Sequence, residues 1–145
     1  HLVILGDGEE KKRLQKQIEN TELSAFIHLL GFKENTFEFL KNAEFLILSS
    51  KYEGFPMVIL EALYMGTPVI SLDCKTGPAE MIRDEFNGLL VENQNFEALK
   101  TAMDKLIMDK ELYNFCKQNA KESTAPFSED NIQRQWLDLL NINTN

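Results

Sequence analysis

A doubly wound α/β fold, built on a mostly parallel Rossmann-like sheet of about five strands, is predicted by three features of the sequence. Short apolar runs alternate with helix-period segments along the chain. The runs lack the strict apolar–polar alternation of a sheet with one wet face, as befits strands covered on both sides. No Gly/Ser-rich linker, internal repeat or low-complexity tract divides the 145 residues, about one domain's worth of chain.

Leu2 to Leu5 reads as the first strand, ending at Gly6-Asp7-Gly8, and Glu9 to Asn20 as a helix with Leu14 and Ile18 four apart on one face. Phe26 to Leu29 is the second strand, ending at Gly31-Phe32, and Thr36 to Ala43 a short helix with Phe37 and Leu40 on one side. Phe45 to Leu48 is the third strand. From Pro56 to Met65 the pattern is helical, with proline at the first turn and Gly66 as the stop. Val69 to Leu72 is a fourth strand, Pro78 to Arg83 a helix, and Gly88 to Val91 a fifth strand. Phe96, Leu99, Met103, Leu106 and Ile107 line one helix face, and Lys110 to Lys121 forms another helix. Ala125-Pro126 breaks the pattern before a last helix, opened by Ser128-Glu129-Asp130, carries Ile132, Trp136, Leu139 and Leu140.

Composition excludes several classes. With 43% hydrophobic and 26% charged residues the chain is an ordinary globular sequence rather than a disordered or collagenous one. No apolar run approaches the roughly 18 to 20 residues of a membrane span, and His1 to Glu10 do not form a signal peptide, so a cytoplasmic protein is expected. Cys74 and Cys116 are too isolated for a disulfide framework or a zinc site. A net charge of −8 speaks against nucleic acid as a partner. Gly6-Asp7-Gly8 lacks the third glycine of a dinucleotide fingerprint, since position 11 is Lys, and no P-loop occurs. No Asp-x-Asp or His-rich cluster suggests a metal, and His28, mid-strand, reads as a structural histidine.

The informative stretch runs from Ser49 to Ala62. It places Glu53 in the loop leaving the third strand and Glu61 eight residues on, within the next helix. Gly54 lets backbone approach a ligand, and Pro56 fixes the helix start so that free amides near Phe55, Met57 and Val58 face an anion. Carboxylates beside such amides suit sugar hydroxyls, which donate charge-assisted hydrogen bonds. The plain alternative makes Glu53 a helix cap and Glu61 a solvated side chain. Against it, Glu61 stands in a helix apolar almost all round, which predicts burial, and a buried charge needs a partner.

The form E-G-F-P-x-V-x-L-E-A at Glu53 to Ala62, followed by Gly66-Thr67-Pro68-Val69-Ile70, resembles the donor-binding signature of retaining glycosyltransferases of family 4, which have the two-domain GT-B architecture. The resemblance spans roughly residues 2 to 110. It includes Leu5-Gly6-Asp7-Gly8, Leu30-Gly31-Phe32, Thr76-Gly77-Pro78-Ala79-Glu80 and Asn87-Gly88-Leu89-Leu90-Val91 in the family's order. It implies that Glu53 contacts the donor sugar and Glu61 the ribose hydroxyls. Gly54, Phe55, Pro56 and Met57 would border the sugar and diphosphate, Gly31, Phe32 and Lys33 the base, and Gly77 would begin a helix near the pocket or make a purely structural turn. No metal or other cofactor is implied. The implied substrates are a nucleotide-diphosphate sugar, of the UDP type, and a glycan or lipid-linked acceptor in polysaccharide or glycolipid synthesis, with the full-length enzyme peripheral to a membrane.

By the same resemblance an earlier β-α unit would carry an Arg and a Lys that neutralise the diphosphate, whereas here Arg13, Arg83 and Arg134 match no such motif. An opposite charge near 4 Å is worth on the order of 4 kcal/mol at an effective dielectric of 20, against about 0.3 to 1 from a helix N-terminus. In a 3-2-1-4-5-6 sheet that unit's strand belongs between Leu2–Leu5 and Phe45–Leu48, leaving room for a strand or helix from another chain. The expectation is therefore a fragment, inactive alone. Residues 1–125 form an incomplete nucleotide-sugar-binding domain, and 126–145 a C-terminal helix that packs on an absent N-terminal domain. The alternatives are a non-catalytic nucleotide- or partner-binding module docking through its last helix and, disfavoured by the glutamate spacing, a sugar-nucleotide epimerase.

Overall fold

The computed structural model describes residues 1–140, which divide into two compact units, His1–Thr36 and a second from Phe37 on. In the first unit, β1 (Leu2–Leu5) and β2 (Ile27–Gly31) flank α1 (Lys11–Glu19) in sequence and pair in parallel. The ladder runs Leu2↔Ile27, Val3↔His28, Ile4↔Leu29 and then slips, so that Leu5 faces Gly31. Gly31 absorbs the slip at φ +71°, a left-handed conformation that glycine adopts without strain, and its carbonyl accepts the Gly6 amide at 2.9 Å. Only Leu14 and Ile18 of α1's apolar side chains are half-buried, as their spacing predicts. His28 meets His1, ring against ring, with 3.0 Å between Nε2 and Nδ1.

In the second unit α2 (Thr36–Asn42, its first residue in the other unit) leads to β3 (Leu46–Leu48), α3 (Met57–Tyr64), β4 (Val69–Asp73), α4 (Pro78–Met81) and β5 (Gly88–Glu92). Then come α5 (Phe96–Met108), α6 (Lys110–Ala120), a 3-10 turn over Glu122–Phe127 and α7 (Glu129–Leu139). The strands form a parallel sheet in the order β3-β4-β5, with Leu46↔Val69 and Val69↔Gly88 in register. β4, the centre strand, is buried from Val69 to Leu72 and alternates between two cores. Ile70 and Leu72 pack with Leu89, Val91, Leu99, Leu106 and Cys116, while Val69 packs with Leu40, Ile59, Leu63, Met81 and Ala120. Helices thus cover both faces, the doubly wound arrangement. Asn95 and Asp109 cap α5 and α6 by accepting the Ala98 and Leu112 amides.

Among the described residues all strand pairings are parallel, and the five strands form a two-stranded and a three-stranded sheet. Among the described residues β1 has β2 as its hydrogen-bonded neighbour, and β3 has β4. Two element ends differ from the sequence reading. α4 stops at Met81 because Ile82 is extended and the buried Asn87 side chain takes over the local backbone, accepting from Arg83 N and donating to Met81 O and Ser123 Oγ. Ala125-Pro126, expected as a break, lies within the 3-10 turn. Ile132, Trp136 and Leu139 of α7, and Leu140 just after it, are all exposed; the final five residues of the predicted 126–145 segment lie outside the described residues. Among the described residues no helix is long and apolar enough to cross a membrane.

Thr67, 2% exposed, donates its hydroxyl to Leu40 O at 2.7 Å and so ties α2 to the approach to β4. Thr67→Val keeps the volume and leaves that carbonyl without its partner. It is expected to cost about 1 to 2 kcal/mol in urea denaturation, and an unchanged midpoint would remove this bond from the account of the fold.

Candidate functional site

β3 is only three residues long, and the chain leaves it for a loop that reaches α3 at Pro56. Pro56 is buried and sits as the residue before the first helical turn, with φ −72° and ψ 90°. No side chain caps this helix start, so Glu53 is not the helix cap of the plain alternative. The Ile59 amide folds back onto Pro56 O at 2.9 Å. The Met57 and Val58 amides ahead of it are left in the position where helix N–H groups lack an intrahelical acceptor.

α3 is amphipathic in space although not in composition. Ile59, Ala62 and Leu63 are fully buried, whereas Met57, Glu61 and Tyr64, at i, i+4 and i+7, share the other face. Met57 and Tyr64 are more than half exposed and Glu61 is half-buried. The sequence reading of a helix buried all round is therefore corrected. The eight-residue helix packs one face on the sheet and leaves the other open, so Glu61 keeps contact with water and needs no protein partner. Glu53 is likewise half-buried. Among the described residues neither carboxylate takes part in an ion pair. Two acceptors and a pair of free amides thus lie along one open stretch of backbone and helix.

The turn after β4 meets this stretch. Thr76 Oγ1 donates to the Glu53 carbonyl at 2.5 Å. Gly77, at φ +97°, lies so close to the loop that a Cβ there would fall 2.4 Å from Pro56 Cδ and 3.0 Å from Gly54 O. The Gly77 amide is donated to Glu80 Oε1 at 3.2 Å, and α4 is only four residues long. Gly77 therefore enters the site by packing rather than by offering its N–H. Phe55 leans on Phe127 of the 3-10 turn, with ring centroids 5.9 Å apart.

The structure thus gathers Glu53, Gly54, Pro56 and Gly77 into one contact group, with Phe55 beside it and Met57 and Glu61 continuing along α3. Gly31, Phe32 and Lys33 belong to the first unit. There Gly31 is buried at the end of β2, Phe32 is 72% exposed and Lys33 half-buried. Close by, the Lys11 ammonium, 2.8 Å away, and the Gly8 amide hold the Asp7 carboxyl below the usual carboxylate range. Sequence reasoning quoted Thr76 only as part of a motif and missed its bond to Glu53; its place before Gly-Pro was the one available sign of a turn.

A cleft of about 540 Å³ is lined by Glu80, Arg83, Phe86, Asn87 and Phe127, and a groove of about 310 Å³ by Asp84, Glu85 and Lys105 among others. Neither is lined by Glu53 or Glu61. No group of three His, Cys, Asp or Glu side chains able to hold a metal occurs among the described residues. Burial pushes the Cys116 thiol up to about 11, so it stays protonated and is a poor nucleophile near neutrality.

A model of the family described as glycosyl transferases group 1 matches residues 1–123. The amylovoran biosynthesis glycosyltransferase AmsD of Erwinia amylovora is 34% identical over 140 residues, 97% of this chain and 39% of that protein. Among solved structures, a mutant of S. aureus TarM in complex with Fondaparinux, alpha-GlcNAc-glycerol and UDP superposes with a TM-score of 0.86 at 29% identity, covering 96% of this chain and 28% of that one. Anabaena HepE in complex with UDP-glucose gives a TM-score of 0.83 at 25% identity, covering 96% and 40%. The chain thus spans about two fifths of the length of AmsD and of HepE, and less of TarM.

Proposed function

The chain belongs to the group 1 glycosyl transferases, and from that premise we propose that it is the nucleotide-sugar-binding part of a retaining glycosyltransferase of family 4. The enzyme moves a hexosyl group from a UDP-sugar to a glycan or lipid-linked acceptor in cell-surface polysaccharide or glycolipid synthesis. The main support is one juxtaposition: uncapped amides at Met57 and Val58, with Glu53 just ahead of them and Glu61 on the open face behind. The amides suit the diphosphate oxygens, because partial positive charge gathers at a helix N-terminus. The carboxylates accept hydroxyl hydrogen bonds, Glu53 from the donor sugar and Glu61 from the ribose. Gly54, Phe55, Pro56 and Gly77 shape the sugar end.

In the reaction the bond from the anomeric carbon to the diphosphate oxygen breaks, a bond to the acceptor hydroxyl oxygen forms, and the acceptor's proton passes to the leaving diphosphate. Positive charge that develops at that carbon is favoured by the fixed Glu53 carboxylate, and negative charge on the leaving diphosphate by the α3 amides. Residues 1–125 bind the donor in this reading. Residues 126–145 pack on another domain of a longer, cytoplasmic and membrane-peripheral enzyme, and the exposed stripe of Ile132, Trp136 and Leu139 supports that role. The same stripe favours the second reading, a non-catalytic module that docks a partner.

Calorimetry on the 145-residue chain in EDTA separates the two. Expected is UDP binding measurable at millimolar ligand, with affinities that differ between UDP-glucose and UDP-N-acetylglucosamine, and no sugar transfer in a radiolabel assay. Silence at millimolar ligand would overturn the donor site and leave the module; turnover by this chain alone would overturn its dependence on further residues.

A further inference from the structure

We propose that Thr76 is a positioning residue that holds the Glu53 loop to the end of β4 and so sets the carboxylate for the donor sugar; this deepens the donor-site reading and rests on it. Among the described residues no backbone-to-backbone hydrogen bond is made by residues 51–55, so the chain between β3 and α3 has little of its own to fix it. Its two aromatic side chains, Tyr52 and Phe55, are exposed. Phe55 leans on Phe127 at one end, and the hold at Glu53 comes from 23 residues away in sequence, where Thr76 Oγ1 donates to the Glu53 carbonyl at 2.5 Å.

The donor is itself anchored on both sides. β4 is the buried centre strand, and beyond it the thiol of Cys74, 2% exposed, lies 3.7 Å from Thr76 O. On the other side Glu80 accepts the Gly77 amide. Gly77 completes the clamp, since its missing Cβ is what admits the Pro56 ring and the Gly54 carbonyl. Rigidity therefore passes from the core strand through a hydroxyl to the backbone of Glu53, whereas Glu61 is held separately by the buried face of α3. Loss of the hydroxyl should loosen the sugar end of the site and spare the nucleoside end. Thr76 is exposed, so the carbonyl it releases can be hydrated and the fold should survive.

Thr76→Val and Thr76→Ser test this on the 145-residue chain by two readouts. One is the affinity of UDP-glucose relative to UDP by calorimetry; the other is ¹⁵N relaxation at Gly54 and Phe55. Thr76→Val should lower the UDP-glucose preference about tenfold with UDP itself within about twofold, and drop the order parameters from about 0.85 to below about 0.6. Thr76→Ser should restore both. A wild-type chain that discriminates, with Thr76→Val unchanged in preference and order, overturns the positioning role alone, as does a serine variant that behaves like valine. A wild-type chain that binds UDP but prefers UDP-glucose no more than UDP overturns the positioning role alone, and one silent to both at millimolar ligand overturns the donor-site reading and the positioning role with it.

Discussion

Gly88→Ala is expected to destabilise the protein by about 3 kcal/mol or more, although the backbone there needs no special φ. Gly88 faces Val69 across the β4–β5 ladder, and an added Cβ would fall 2.0 Å from the Val69 carbonyl oxygen and 2.9 Å from its carbon. The clash is with main chain rather than with the far end of a flexible side chain, so it is relieved only by opening the ladder at the first residue of β4. Val69 is fully buried against Ile59, Leu63 and Met81, and moving it disturbs that core as well. Two other glycines serve as controls. Gly54→Ala meets nothing within 4 Å and should fall within about 0.5 kcal/mol of wild type. Gly66→Ala, in open space but at φ +80°, should lose about 1 to 2 kcal/mol for the left-handed backbone. Urea denaturation of the three variants ranks them, and a Gly88 variant no worse than the Gly66 one would contradict the packing described for the sheet.

The contrast between these glycines also shows what was legible beforehand. Val69 to Leu72 is a continuous apolar run, so burial on both faces could be read directly, and β4 is indeed the centre strand. Leu2 to Leu5 reads the same way in sequence, yet Leu2 and Val3 are exposed, because an apolar run states what a strand can bury and not whether anything is there to cover it. Pairing has the same non-local character: periodicity predicts the five strands, whereas the break between Leu2–Leu5 and Phe45–Leu48 was expected only from the sheet order of the resembled family. At the candidate site, the start of α3 was legible because a proline followed by an apolar helical run marks a first turn, and Pro56 is the residue before Met57. The setting of Glu61 was misread. Composition made α3 apolar all round, whereas an eight-residue helix laid on a sheet has an open side wherever no second layer follows. The Thr76–Glu53 bond joins two loops 23 residues apart, and no local spacing encodes it.

If the proposed donor site is right, Glu53→Gln and Glu61→Ala should separate sugar transfer from nucleotide binding. Glutamine at 53 keeps the length of the side chain and the backbone carbonyl that Thr76 holds, and removes only the negative charge. Charge-assisted hydrogen bonds are worth about 1.5 to 3 kcal/mol. If the Glu53 carboxylate acts on the sugar as charge develops, its loss should lower kcat roughly 10- to 150-fold with UDP affinity within about twofold. Glu61 is the reverse case. It lies on the open face of α3, four residues beyond the Met57 amide, where a ribose would sit behind a diphosphate held by the helix start. On the proposed role, in which Glu61 accepts from two vicinal ribose hydroxyls, Glu61→Ala should weaken UDP about 10- to 100-fold, with the UDP-glucose to UDP preference retained. Because the two side chains are attached to different supports, one to a loop clamped from β4 and the other to a helix face seated on the core, their effects should also be close to additive in the double variant. Steady-state kinetics and calorimetry on the three variants decide the matter. Equal losses of kcat and UDP affinity for both glutamates would refute the division of labour, since each would then be acting on the same part of the ligand.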